Sequence, residues 1–359
     1  MNGPGIAIAS THGAIGGGEV MLLSIAEALT DRGTDVLVLA PASPPALVQE
    51  ARSRGLRVRA LPGRSRAASL LALSCWRLLH PRSVLWCNGL APSLATAGIG
   101  PRIVHLHNLP RGRQRAALAA ARIGARVVLV PSRFLAARVP GSRVLVNWTE
   151  KIDQVPAPLG RVPGAVRIGF LGRITRDKGV HVLAAALREL RSSLPGTDLR
   201  LVLAGESLFG GPGDEEAIDA ALAPIAEALE HRGPMRRVDF FAQVDLAVFP
   251  SVWEEPFGLV VAEAMAAGVP FVITAAGAMP EVAGPHHPWI AQPDDSHDLA
   301  RVLRTALEAS SAQRDAARRA ARDRWEDEFS PQRGRERVCR LLGDLDLTAA
   351  VEPDPGVSR

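Results

Sequence analysis

The chain has 359 residues and a mass of 38.1 kDa, more than one ordinary α/β unit needs and enough for two. Hydrophobic residues at 47% beside 22% charged exclude a disordered chain. The longest apolar stretches, such as AASLLALSCW before Arg77, fall short of the roughly 20 residues a bilayer-spanning helix needs. The net charge of +5 is unevenly placed. Residues 1–150 hold 18 arginines, no lysine and 6 acids, and between Glu50 and Glu150 there are 17 arginines and no acid. The remainder is net acidic, so the halves differ as two domains with separate partners would. Cys75, Cys87 and Cys339 are few and scattered, which predicts reduced thiols in a cytoplasm. The opening MNGPGIAIAS lacks the basic flank of a signal peptide.

Short apolar runs alternate with helical periodicity from the start, the pattern of a parallel sheet with crossover helices. Strands are predicted at Gly5–Ser10, Asp35–Ala40, Leu56–Ala60, Ser83–Cys87, Arg102–Leu106, Arg126–Val130 and Arg143–Val146. Helices are predicted at Gly18–Asp31, Pro44–Arg54, Arg66–Leu79, Arg111–Ile123 and Ser132–Arg138. VPAPLGRVPG (Val155–Gly164) reads as a linker. The alternation then restarts with strand Val166–Leu171, helix Lys178–Arg191, strand Asp198–Ala204, helix Glu215–Glu230 and strand Leu246–Phe249. Helix Phe257–Ala267, strand Pro270–Thr274, a short helix near Pro280–Val282 and helix Ser296–Ala309 follow. Two terminal helices, around Gln313–Glu326 and Pro331–Leu342, close the pattern. The domains expected are 1–155 and 156–328, each a Rossmann-like α/β unit. Residues 329–345 form a terminal helix that packs back on the first domain, and 346–359 a frayed tail.

GAIGGGEV (Gly13–Val20) follows the first strand, so Gly16, Gly17 and Gly18 let backbone N–H groups approach an anion at a helix start. It does not fit G-x-G-x-x-G, and DVLVLAPAS ends without the acid that would hold an adenine ribose, which argues against a dinucleotide dehydrogenase. PSVWEEPFGLVVAEAMAAGVP (Pro250–Pro270) is more informative. A buried strand delivers Glu254 and Glu255 to a loop. A helix then begins at Phe257 and Gly258, where N–H groups of Gly258, Leu259 and Val260 would meet an anion. Glu263, about 7 Å further along the helix, would reach a group beside it.

Glu255 and Glu263 in E-x7-E spacing, set in PS-x-x-E-x-x-FG and followed by EAMAAGVP, resemble retaining glycosyltransferases of family 4, which have the GT-B fold. FLGRITRDKG (Phe170–Gly179), VDLAVFPS, GAMPEV and the glycine-rich loop agree in order and spacing. The resemblance implies an α/β chain of two Rossmann-like domains whose parallel sheets face across a cleft. It implies that Glu255 bonds the donor sugar's hydroxyls, Glu263 the ribose, and that Arg173 and Lys178 neutralise the leaving diphosphate. Phe257 falls within the same donor-binding segment. Of 42 basic residues only Lys151 and Lys178 are lysines, so a lysine kept in RDKG stands out. In RIVHLHNLP, His105 and His107 end a predicted strand, and the resemblance places His107 opposite the donor sugar. CNGL (Cys87–Leu90) and the segment at Ser132 look cleft-lining. VLVNWTE and AGESLFGGPGDEE depart from the family's pattern, which leaves Asn147 and base recognition open.

No zinc spacing is present, and Asp344-Leu345-Asp346 is an accidental match to an acidic metal motif. With two cations and a helix N-terminus facing the diphosphate, neither metal nor cofactor is expected. The partners expected are a nucleoside-diphosphate-sugar and an anionic or lipid-linked acceptor, with no nucleic acid. Alternatives are a nucleotide-sugar epimerase on the same fold and a non-catalytic nucleotide-sugar binder. SRAASLLALSCWRLL (Ser65–Leu79) sets Trp76 and an apolar run between arginines, either as an interfacial helix or as a buried one. The first reading predicts a cytoplasmic enzyme peripheral to the inner face of the membrane.

Overall fold

The computed structural model describes residues 5–153, 165–206 and 213–347. The linker Val155–Gly164, most of the tail and the centre of AGESLFGGPGDEE lie outside them. The chain divides into two compact units, Met1–Asn147 with the segment from Gln332 onward, and Trp148–Pro331.

Unit 1 carries seven parallel strands: β1 (Ile6–Ala9), β2 (Val36–Pro41), β3 (Val58–Leu61), β4 (Val84–Asn88), β5 (Arg102–His105), β6 (Ala125–Val130) and β7 (Arg143–Val144). Their order is β3-β2-β1-β4-β5-β6-β7, with Ile6 opposite both Val36 and Val84. The central runs IAIA and VLVLAP are buried at every position, as a sheet covered on both faces requires. The helices are α1 (Gly17–Thr30), α2 (Ala46–Ser53), α3 (Arg66–Leu79), α4 (Leu90–Ala95), α5 (Arg113–Ala121) and α6 (Arg133–Ala136).

Unit 2 has six parallel strands: β8 (Ala165–Leu171), β9 (Asp198–Ala204), β10 (Leu229–Gly233), β11 (Leu246–Phe249), β12 (Phe271–Thr274) and β13 (Ile290–Ala291). They are ordered β10-β9-β8-β11-β12-β13. Its helices are α7 (Val180–Ser193), α8 (Asp214–Leu222), α9 (Arg237–Phe241), α10 (Leu259–Ala267), α11 (Met279–Ala283), α12 (Ser296–Glu308) and α13 (Ser311–Arg324). Its core joins Ile168, Phe170, Leu183, Leu187, Leu201 and Leu303. The last helix, α14 (Pro331–Asp344), lies against unit 1: Arg335 pairs with Asp31 at 3.0 Å and Asp344 with Arg143 at 2.5 Å.

Several elements differ from the sequence reading: α4, α9 and β13 are not among those expected, and three others depart in extent or type. The helix expected over Glu215–Glu230 stops at Leu222, because Pro224 has no N–H for the next turn. A 3₁₀ segment, Ala223–Ala228, leads instead into β10, whose two half-exposed leading residues carry little strand pattern. The four-residue α6 replaces most of Ser132–Arg138, and Ser132 caps it by accepting from the Leu135 N–H at 3.1 Å. Ser132 itself is buried.

The interfacial reading of Ser65–Leu79 needs a specific correction. Trp76 is 3% exposed and Arg77 fully buried, so neither faces solvent. The Arg77 guanidinium donates to the carbonyls of Ile99 (2.6 Å), Ser83 (2.6 Å), His80 (3.1 Å) and Pro101 (3.1 Å). Its planar fork ties α3 to the chain entering β4 and β5, geometry that a point-charge ammonium does not reproduce. Arg77→Leu strands those carbonyls and should lower unfolding free energy by about 3 kcal/mol or more. Urea denaturation checks this, and Arg77→Lys is expected to recover little of the loss.

Candidate active site

Both sheets reverse direction after their first three strands, and such a reversal leaves a crevice at the carboxyl ends of the two diverging strands. In unit 2 these are β8 and β11, and most of the predicted donor-side residues stand on the loops and helices that follow them.

β8 ends in a turn, Gly172–Gly179, that leads into α7. Gly172 and Gly205, after β8 and β9, both have positive φ, and a Cβ on Gly205 would lie 1.8 Å from the Gly172 carbonyl. Only glycine permits so close an approach. Gly179 has φ 74° and faces the Pro250 carbonyl at the end of β11 with no room for a side chain. The β8 and β11 loops are thus locked together. The Asp177 carbonyl accepts from the N–H groups of Val252 (3.0 Å) and Trp253 (3.2 Å) and from Ser251 Oγ (3.2 Å). Its carboxylate accepts from Thr175 Oγ1 and from Arg173 at 3.1 Å.

This frame brings Lys178 and Glu255 together. The Lys178 ammonium donates to Glu255 Oε1, which also accepts from Ser251 Oγ at 2.7 Å. Glu255 is 8% exposed, and its backbone is held from the far side by Gly277 (φ 62°) and by the Ala278 N–H, which donates to the Glu255 carbonyl at 2.8 Å. Glu254 beside it is half-buried.

α10 begins two residues later than its predicted start, with Gly258 as a left-handed N-cap (φ 93°). The first N–H groups of the helix, including those of Leu259 and Val260, have no intrahelical acceptor. Phe257 is buried edge-on against Phe329, with ring centres 5.6 Å apart. Glu263 is 4% exposed; Oε1 accepts from Arg237 at 2.6 Å and Oε2 has no partner among the described residues. A buried carboxylate oxygen without a donor is costly, which marks it as a group awaiting one. Near the ends of β9 and β10 a cavity of about 520 Å³ is lined by Ile174, Leu203, Gly205, Glu206, His231 and Gly233.

In unit 1 the equivalent reversal falls between β1 and β4. Gly16 and Gly17 are exposed, and Glu19 turns inward to accept from the Gly16 N–H (3.3 Å) and Ser10 Oγ (3.1 Å). Burial raises its carboxyl above the usual range. Asn88, at the end of β4, donates to the Gly18 carbonyl at 3.1 Å. A carbonyl can only accept, so the Asn88 amide is oriented by it and presents Oδ1 to His107 Nε2 at 2.6 Å. His107 therefore carries its proton on Nε2, and its Nδ1 is buried without a partner among the described residues. Burial lowers His107 to about 4, and His105, whose ring is 4.2 Å away, falls well below the usual value.

Asn88 was legible as part of CNGL, and Ser251 and Asp177 lie inside quoted motifs. Arg237 carried no sequence signal. Asn147 is buried, and its Oδ1 has no partner among the described residues.

Two family models match. "Glycosyl transferase 4-like domain" covers residues 16–162 and "Glycosyl transferases group 1" covers residues 165–309. Glycogen synthase from Mycobacterium tuberculosis is 36% identical over 175 residues, 47% of this chain and 40% of that protein. D-inositol 3-phosphate glycosyltransferase from Paenarthrobacter aurescens is 32% identical over 176 residues, 43% of each. The chain thus matches less than half the length of these relatives. Among solved structures, Anabaena HepE in complex with UDP-glucose superposes with TM-score 0.80 at 21% identity, covering 94% of this chain and 99% of that one. Sucrose-phosphate synthase from Thermosynechococcus elongatus gives 0.78 at 19%, covering 96% and 99%.

The two depressed histidines set a pH dependence. Unfolded histidine binds a proton near pH 6.5, whereas folded His105 and His107 remain neutral well below that. Their contribution to stability is complete above about pH 6.5 and is lost as pH falls toward 4. Urea midpoints across this range should fall less steeply for His107→Gln than for the wild type. Parallel curves would assign the acid sensitivity elsewhere.

Proposed function

Because the chain belongs to the group 1, 4-like glycosyltransferases and has the GT-B fold, we propose that it transfers a sugar from a nucleoside-diphosphate-sugar to an acceptor with retention of configuration. The observation that carries this reading is the Lys178–Glu255 pair, held at the β8–β11 crevice beside the N-terminus of α10. Unit 2 takes the donor. The diphosphate lies on the α10 N-terminus and exchanges for the internal carboxylates that hold Lys178 and Arg173. Glu263 Oε2 accepts from the ribose, and Glu255 from the donor sugar. The cavity at β9 and β10 receives the base.

Departure of the diphosphate and attack by the acceptor occur on the same sugar face. The charge developing on the leaving group is met by Arg173, Lys178 and backbone N–H groups, a preorganised set that calls for no metal. Unit 1 takes the acceptor. The arginine-rich, acid-free stretch from Arg52 to Arg143 favours an anionic one, lipid-linked or soluble. The name of the Paenarthrobacter relative, D-inositol 3-phosphate glycosyltransferase, supports anionic chemistry without choosing between those sources. The protein acts peripherally at the cytoplasmic face of the membrane.

Turnover of a panel of nucleotide sugars, UDP-glucose first, tests the donor site. Lys178→Ala and Arg173→Ala should each reduce kcat/KM about 100-fold, on the order of 3 kcal/mol for one preorganised donor. Glu263→Ala is expected to weaken the bare nucleoside diphosphate, Glu255→Ala mainly the sugar donor, and chelator should change neither rate. Wild-type turnover by both cation variants, equal losses for both carboxylates on both ligands, or chelator-abolished activity restored by magnesium would count against the site.

A further inference from the structure

We propose that the outer face of α3, with its neighbours α4 and the end of α5, is a docking surface for an anionic lipid bilayer. The proposal deepens the peripheral placement above but does not depend on sugar transfer.

α3 is apolar on two faces. Its inner face, Leu73 and Trp76, packs on the core with Leu37, Leu39 and Leu61. Its outer face presents Leu71, Leu78 and Leu79, exposed at 66%, 64% and 76%. Leu71, Cys75 and Leu78 follow helical spacing, and Cys75 is exposed between the leucines. A helix of a water-facing protein ordinarily places polar residues there.

The apolar surface continues beyond α3. Ser74 Oγ donates to the Ala95 carbonyl at 2.9 Å, joining α3 to α4, whose Leu94 is 42% exposed. The Gly98 N–H donates to the Ile123 carbonyl at 2.9 Å, bringing in the end of α5, where Ile123 is 62% exposed. Five of the seven large hydrophobic residues exposed among the described residues therefore stand on this one layer of unit 1. Clustering of that kind marks a surface with a partner rather than scattered exposure.

Charge selects the partner. Arg64 and Arg66 precede and open α3, Arg82 follows it, and all three are exposed with no ion pair among the described residues. No acid occurs in the chain from Ala51 to Thr149. Leucines flanked by unpaired guanidinium groups suit a layer of acyl chains beneath anionic headgroups, where each kind of side chain finds its own depth. A second copy of this face would set arginine against arginine.

Sedimentation of the full chain with vesicles tests this directly. Binding is expected to vesicles of mixed phosphatidylcholine and phosphatidylglycerol, to be much weaker on phosphatidylcholine alone, and to fall with added salt. Leu71→Gln/Leu78→Gln/Leu79→Gln should weaken binding to the mixed vesicles at least tenfold with little change in melting temperature, since those side chains are largely exposed. Arg64→Gln/Arg66→Gln/Arg82→Gln should abolish the preference for anionic lipid. The proposal fails if the leucine variant binds as the wild type does, or if the wild type binds neither vesicle. It also fails if sedimentation velocity shows a dimer that the leucine substitutions dissolve, since the occupant is then a second copy. Because no turnover is measured, these outcomes are independent of whether the donor site is correctly assigned.

Discussion

A lysine and a carboxylate that meet at the end of β8 and β11 depend on contacts made almost wholly by backbone. Lys178 reaches Glu255 because the Asp177 carbonyl, already in the turn before α7, gathers Val252, Trp253 and Ser251 from the other loop. Gly179 and Gly277 make that approach possible by leaving out a side chain where a carbonyl or peptide must pass. The sheet order supplies the place: β9 and β10 leave β8 on one side while β11 departs on the other. Nothing in the loops could close over the crevice unless the strands first diverged there. Glu255 then does two things with one oxygen, accepting from Lys178 and Ser251. Removing either donor would leave a largely buried carboxylate short of a partner, so the constellation stands or falls as a unit.

Much of this was legible in the sequence, for physical reasons that differ from residue to residue. Buried parallel strands write themselves as continuous apolar runs, so IAIA, VLVLAP and LAVF located the sheet almost to the residue. The carboxylates stood out because charge in an apolar context needs an explanation, and Lys178 because the chain otherwise writes arginine. β10 was hidden: LEHRG is an edge strand with exposed polar positions, and its leading leucine continues the helical spacing of α8. Arg237 was hidden too. Its role follows from where α9 lands beside α10, which no local pattern encodes.

Arginine was the residue most easily misread. A count over residues 1–150 treats all 18 as surface charge, yet Arg77 and Arg102 are fully buried. Each is a structural clamp on carbonyls: Arg102 gathers Ser93, Ala121 and Ile123 much as Arg77 gathers the chain around β4. The planar fork with five donors makes this possible, because it can close several loose carbonyl ends at once. Composition alone cannot tell such a clamp from a solvated charge. Helix periodicity can help: Arg77 follows Trp76 and falls one turn after Leu73, on the buried side.

The electrostatics of the donor-side loops differ from a simple basic pocket. Arg173 is paired with Asp177 and Lys178 with Glu255, so the four groups sum to no net charge. Such a site does not draw anions from a distance as an uncompensated cluster would. It discriminates at contact instead, because an incoming group must replace a carboxylate oxygen at the ammonium or guanidinium with comparable hydrogen-bond geometry. Phosphate oxygens meet that demand, and the unpartnered Glu263 oxygen asks in turn for a hydroxyl or other donor. A ligand that carries acceptors at one end and a hydroxyl one helix turn away satisfies both requirements together. Chloride or inorganic phosphate satisfies only the first. On the proposed reading, the spacing from Arg173 and Lys178 to Glu263 is what distinguishes a nucleoside diphosphate from a simple anion, and Glu255 adds the contact to the sugar.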